Sequence, residues 1–110
     1  MNQQIDGRHE VDAGGLPFGG VTSGTGLEIK WQKGPLIDVS GVRQDPNGAF
    51  VEGVINAAID RIQWYQVVSE GRFRCRQNSL AITKLEEALH WLNDRTLERQ
   101  QRGVEGTHEA

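Results

Sequence analysis

At 110 residues, with 36% hydrophobic side chains and 14 glycines, the chain is one small domain whose core, taken alone, is thin. Its net charge of −3 argues against a bulk nucleic-acid binder, and three Trp in so short a chain point to a subunit interface as the place where aromatic surface is covered. Cys75 is the only cysteine, which excludes an internal disulfide and a cysteine-based metal site.

No apolar run approaches the roughly 18 residues needed to span a bilayer, and no signal-peptide segment follows Met1, so a soluble cytoplasmic protein without a membrane partner is expected. Residues 1–26 carry Gly7, Gly14, Gly15, Gly19, Gly20, Gly24 and Gly26 around a sparse Leu16, Phe18 and Val21. This reads as a flexible Gly-rich arm with at most one short strand late in the segment. A phosphate-binding loop is not supported, because no Lys-Ser/Thr pair follows the glycines.

From residue 27 a single domain is expected to run to 110. Residues 27–33 set Leu27, Ile29 and Trp31 against Glu28, Lys30 and Gln32, the period of a half-buried strand. Gly34-Pro35 makes a turn and residues 36–42 return, predicting an antiparallel hairpin over 27–46 that the cluster Asp45-Pro46-Asn47-Gly48 closes. Two strands alone are marginal, so the hairpin must lie on helices or on a neighbour.

A first helix is predicted over 49–68, with Asn47 as its N-cap. One apolar line runs through Val51, Val54/Ile55, Ala58, Ile62 and Tyr65, and a second through Phe50, Ala57 and Trp64. Ser69-Glu70-Gly71 breaks it, and residues 72–76 connect to a second helix over 78–102, capped by Asn78 or Ser79 and followed by Gly103. The face of that helix runs through Asn78, Ile82, Leu85, Leu89, Leu92, Thr96 and Arg99, flanked by Ala81, Ala88, Arg95 and Arg102. Residues 103–110 form a tail without periodicity. The fold class is α+β: a small N-terminal antiparallel β-hairpin or sheet, then a two-helix antiparallel hairpin, assembled as a homo-oligomer.

The chemistry-bearing residues are mainly arginines. Arg95, Arg99 and Arg102 follow one another at helical spacing, and eight of the 12 Lys/Arg lie from Arg61 onward. Beside Asp94 and Glu98 they read either as a solvated helix end whose cations suit the dipole, or as a planar clamp for phosphate. Spacing alone leaves both open. Arg72, Arg74 and Arg76 alternate with Phe73 and Cys75, either a strand-like connector with solvated arginines over a buried Phe73 and Cys75 or a base-and-phosphate contact. His90 reads as a surface or interface residue, and His108 has no partner visible in sequence. Glu86 and Glu87 fall on the solvent side, so a paired-carboxylate site is improbable. No nucleophile–base arrangement, catalytic residue or metal set can be recognised.

Asn47-Gly48-Ala49-Phe50, IDRIQWYQ, the F-x-C-R-x-N run at 73–78, AITKLEEALHWLNDRT and R-G-V-E-G-T-H at 102–108 together resemble phage Thoeris anti-defence type-one proteins. The phage anti-CBASS type-two sponges share the helical hairpin, but LEIKWQKGP looks like the former group. The resemblance covers about residues 27–108. It implies a protein that is not an enzyme, needs no cofactor, and works in the host bacterial cytoplasm. Such a sponge sequesters cyclic nucleotide second messengers without degrading them, blocking Thoeris and, in some members, CBASS immunity. The implied ligand is a glycocyclic ADP-ribose isomer held between two subunits by Asn78, Arg95, Arg99 and an aromatic, Tyr65 or Trp64. Hexameric members, trimers of dimers, hold cyclic di- or trinucleotides elsewhere; Arg76 resembles an arginine of that pocket, with Arg43 as its weaker companion. The alternatives are a small helical protein–protein adaptor and, behind it, a nucleic-acid-binding module using the same arginines.

Overall fold

The computed structural model describes residues 4–38 and 40–101, with backbone only for Gln100. It holds two compact units, one containing residues up to Phe50 and the other Val51–Gln100. The first is built on a three-stranded antiparallel sheet, β1 (Asp6–Val11), β2 (Pro17–Gly24) and β3 (Leu27–Lys30), in that spatial order. The stretch read as an arm therefore forms two strands. Asp12 makes the first turn: its Oδ1 accepts the N–H groups of Gly14 and Leu16 at 2.9 and 3.0 Å. The β1–β2 register slips between His9 and Val11, and Gly20 sits at that irregularity with φ of +122°. A Cβ there would land on the Arg8 carbonyl, so the close approach requires glycine.

Strand β3 pairs with β2, from Val21↔Lys30 to Gly24↔Leu27, and not with residues 36–42 as the expected hairpin required. Among the described residues that returning segment contributes only the isolated bridge Ile37↔Arg43. The reason is Asp38. Its Oδ1 accepts from the Ser40 and Val42 N–H groups and the Ser40 hydroxyl, and its Oδ2 accepts from Gln44 Nε2. A short acidic side chain that satisfies the backbone locally competes with a ladder. The Ser40 hydroxyl first, then the Val42 N–H, holds the Asp38 carboxyl below its ordinary range.

The chain then returns beside β3. Ala49 forms a parallel bridge with Trp31: Gln32 N–H donates to the Ala49 carbonyl at 3.0 Å, and Ala49 N–H to the Lys30 carbonyl at 2.8 Å. Asn47 is not a helix cap. Its Oδ1 accepts the Lys33 N–H at 2.8 Å and its Nδ2 donates to the Lys33 carbonyl at 3.1 Å, because a primary amide matches an extended residue's own donor and acceptor. Gly48 lies against the Trp31 carbonyl, where any Cβ would collide. Trp31 is tied to the sheet by Nε1–H donating to Thr22 Oγ1 at 2.7 Å.

The second unit is the helical hairpin, α1 (Val51–Gly71) and α2 (Arg76–Gln101). Regular helix in α1 ends near Val67: Val68 has ψ of 146°, and Ser69, Glu70 and Gly71 take φ of 52°, 60° and 80°. The break thus falls on Ser69-Glu70-Gly71 as expected, with two non-glycine residues in the left-handed region at about 1–2 kcal/mol each. The second helix starts two residues earlier than expected, so neither Asn78 nor Ser79 caps it. Both lie inside its first turns, and Arg102, Gly103 and His108 lie outside the described residues.

On α2 the shielded positions are Asn78, Ala81, Ile82, Leu85, Ala88, Leu89, Leu92, Thr96 and Arg99, the face that its periodicity predicted. On α1 the shielded stripe runs through Val54, Ile55, Ile59, Ile62 and Gln66. It is rotated from the expected line, since Val51, Ala58 and Tyr65 are exposed, as are Phe50, Ala57 and Trp64. Ile59 is the one buried hydrophobic side chain among the described residues, at 8% exposure.

Candidate functional site

Seven side chains are candidates, and one polar residue outside that set fixes one of them, Asn78. Gln66 replaces an apolar residue on the shielded stripe of α1, four positions after Ile62, and so points at the start of α2. Its Oε1 accepts the Cys75 N–H at 3.0 Å and the Asn78 Nδ2–H at 3.2 Å. Its Nε2 donates to Ser79 Oγ at 2.9 Å and, longer, to the Cys75 carbonyl at 3.4 Å. The orphan donor that opens α2 is thus satisfied from the neighbouring helix. The carbonyl of Gln66 in turn accepts Arg74 Nε–H at 3.2 Å, near the last regular turn of α1. Sequence reading missed Gln66; a lone amide at an apolar position of a helical stripe was the available signal.

Trp64 and Tyr65 project from the last regular turns of α1, 44% and 41% exposed. Their rings meet edge to face at 5.1 Å, and the Arg61 guanidinium lies over both, 4.3 Å from the Trp64 centroid and 5.0 Å from that of Tyr65. A guanidinium stacked in this way is held in place without spending its N–H groups. Arg61 was not singled out from the sequence. Because Gln66 follows Tyr65 directly and bonds Asn78, the two aromatics and the asparagine belong to the same end of the hairpin.

Arg95 and Arg99 belong to the other end. At 1.5 Å rise per residue they lie about 26 and 32 Å along α2 from Asn78. Arg95 is exposed, whereas Arg99 is half-shielded at the end of the apolar stripe. One chain therefore does not bring Asn78 and the arginine pair onto one small ligand.

In the connector, Arg72 lies 5.9 Å from the Phe73 centroid, and both Phe73 and Cys75 are exposed, which removes the buried strand-like connector. Arg76 is the exposed first residue of α2, while Arg43 belongs to the first unit. His90 sits exposed beside Trp91, and Glu87 pairs with Lys84 at 3.5 Å on the solvent side. The sheet unit carries a half-open depression of about 460 Å³ lined by Glu10, Gly20, Val21, Lys30, Trp31, Lys33 and Asn47. Its two lysines are offset by Glu10 and, at 3.7 Å from Lys30, Glu28.

A family model described as "Acb2/Tad1, hairpin domain" matches residues 25–97, which hold every candidate except Arg99. Thoeris anti-defense 1 of Bacillus phage SBSphiJ7 is 49% identical over 81 residues, 74% of this chain. Those residues are 51% of the phage protein, so the chain spans about half the length of that relative.

Proposed function

The chain belongs to the Acb2/Tad1 hairpin-domain family, and from that premise we propose that it is a phage anti-defence protein acting against Thoeris immunity. It does so by binding cyclic nucleotide signals in the host cytoplasm and withholding them intact, as a sponge and not as an enzyme. The observation that carries this reading is the 49% identity to a phage protein named for anti-Thoeris activity. The ligand is a glycocyclic ADP-ribose isomer. Arg95 and Arg99 take its pyrophosphate through charge-assisted hydrogen bonds, roughly 1.5–3 kcal/mol each, while Tyr65 or Trp64 stacks on the adenine for about 1–3 kcal/mol. Those terms, with burial, reach nanomolar affinity, about −12 kcal/mol.

The site is shared between two chains. Support comes from the distance along α2: a partner helix running the opposite way brings its arginine end to the first chain's Asn78 end, and a two-fold axis makes two such pockets. The exposed Trp64, Tyr65 and Trp91 supply apolar surface for assembly into a dimer, and three dimers into a hexamer. Arg76, with Arg43 as its weaker companion, is assigned to a second pocket for cyclic di- or trinucleotides at another subunit contact, which extends the activity to CBASS signals.

Calorimetry against a panel of cyclic nucleotides, followed by heat denaturation and analysis of what is released, tests the reading. Intact ligand is expected in the supernatant. Cleavage products alone, or no binding by any member of the panel, reject the sponge.

A further inference from the structure

The amide of Gln66 cannot be turned over. Its Oε1 faces the Cys75 N–H at 3.0 Å and its Nε2 faces the Cys75 carbonyl at 3.4 Å. A backbone N–H only donates and a carbonyl only accepts, so a flipped amide would set donor on donor and acceptor on acceptor. That assignment settles the next one. Asn78 reaches the same Oε1 at 3.2 Å, and an acceptor admits only a donor, so Nδ2 faces Gln66 and Oδ1 is turned away from it.

We infer that Gln66 is a positioning residue that fixes the flip of the Asn78 amide, spending one Nδ2 proton and presenting Oδ1 to an uncharged N–H or O–H donor of the ligand. The inference rests on the proposed placement of Asn78 in the ligand pocket. At Oδ1 a phosphate oxygen, which has no proton to give at neutral pH, would meet lone pairs; only the second Nδ2 proton of Asn78 is left to donate. Arg95 and Arg99 take the phosphates, and Asn78 Oδ1 serves the exocyclic amine of adenine or a ribose hydroxyl. The two ends of α2 therefore divide the work: charge at one, selectivity at the other. A site built around such a donor discriminates strongly against an analogue that lacks it.

The test is a mutant cycle on the full chain, read by calorimetry with the tightest-binding member of a panel of cyclic ADP-ribose isomers. Gln66→Leu is expected to weaken binding about ten-fold in the native background and less than about two-fold beside Asn78→Ala, where the lock has nothing left to orient. Equal losses in both backgrounds, or none in the native one, overturn the inference. On the ligand side, the adenine amine is replaced by a carbonyl, or ribose hydroxyls are removed singly. At least one such analogue should cost about ten-fold against the native chain and nothing further against Asn78→Ala. Costs that are the same for both proteins overturn the acceptor role. A ligand-free readout separates the lock from the functional reading. The Asn78 Nδ2 proton bonded to Gln66 should exchange more slowly than its geminal partner and lose that difference in Gln66→Leu; equal, fast exchange of the two in the native chain overturns the lock. That difference in a chain that binds no cyclic nucleotide leaves the lock standing and removes the functional reading together with the acceptor role.

Discussion

The two units hold themselves together in different ways. In the sheet unit the strand β1, DGRHEV, is exposed along its whole length, and order comes from polar groups that replace or extend the backbone ladder. Asp12 ties the first turn, Asn47 doubles the edge of β3, and Asp38 gathers its own loop. In the helical unit the order comes from periodic apolar shielding around Ile59, and the polar exception, Gln66, works at the junction of the two helices. Polar fastening makes a unit sensitive to local shape and pH. A shielded stripe makes one sensitive to lost volume.

Removing volume should have the largest effect. Ile59→Ala deletes the buried side chain of the hairpin and is expected to cost about 2–4 kcal/mol in urea denaturation. A loss below 1 kcal/mol would mean that the stripe is not what holds the unit.

A second pair of variants applies the same substitution to both units. Gly48→Ala drives a methyl group into the Trp31 carbonyl and should destabilise by about 1–3 kcal/mol. Gly53→Ala, inside α1 with open space around its Cβ, should instead stabilise by about 0.5–1 kcal/mol. Thermal melts that shift in the same direction for both would erase the contrast.

The smallest effect is electrostatic. The Asp38 carboxyl titrates below its ordinary range in the folded protein, so its stabilising contribution is present above the unfolded value, about 3.8. It is lost as pH falls through the lower, folded value. Carbon-detected titration should therefore show the segment over 40–44 that Asp38 holds loosening only in that acid window, while Asp38→Asn loosens it at neutral pH. An Asp38 that titrates in the ordinary range contradicts this.

The same contrast explains what the sequence disclosed. The face of α2 was legible position by position, because a 3.6-residue period survives whatever covers it. The α1 stripe was legible as a helix but rotated, since Tyr65 and Ala58 looked like core residues and Gln66 did not. Strand β1 was illegible because an exposed strand has no alternation to read, and the glycines of β2 that suggested a loose arm include one the pairing requires. Asn47 followed by an apolar helix resembled a cap, yet its amide found a better match in Lys33. The candidate site divides similarly. Spacing drew attention to Arg95 and Arg99 without deciding their role, and family resemblance supplied the expectation for Asn78, Tyr65 and Trp64. Arg61 and Gln66 became visible only once the side chains they touch were in place.

The central claim is a cyclic-nucleotide site shared between two chains, and subunit complementation tests it most directly. Asn78→Ala and Arg95→Ala chains are co-expressed, and binding of a cyclic ADP-ribose isomer is measured by calorimetry beside each variant alone. Each homo-oligomer should bind only weakly, while random mixing should restore native affinity to about a quarter of the sites, because one of the two pockets in a mixed dimer receives both native residues. No recovery on mixing, or full binding by either variant alone, would contradict it.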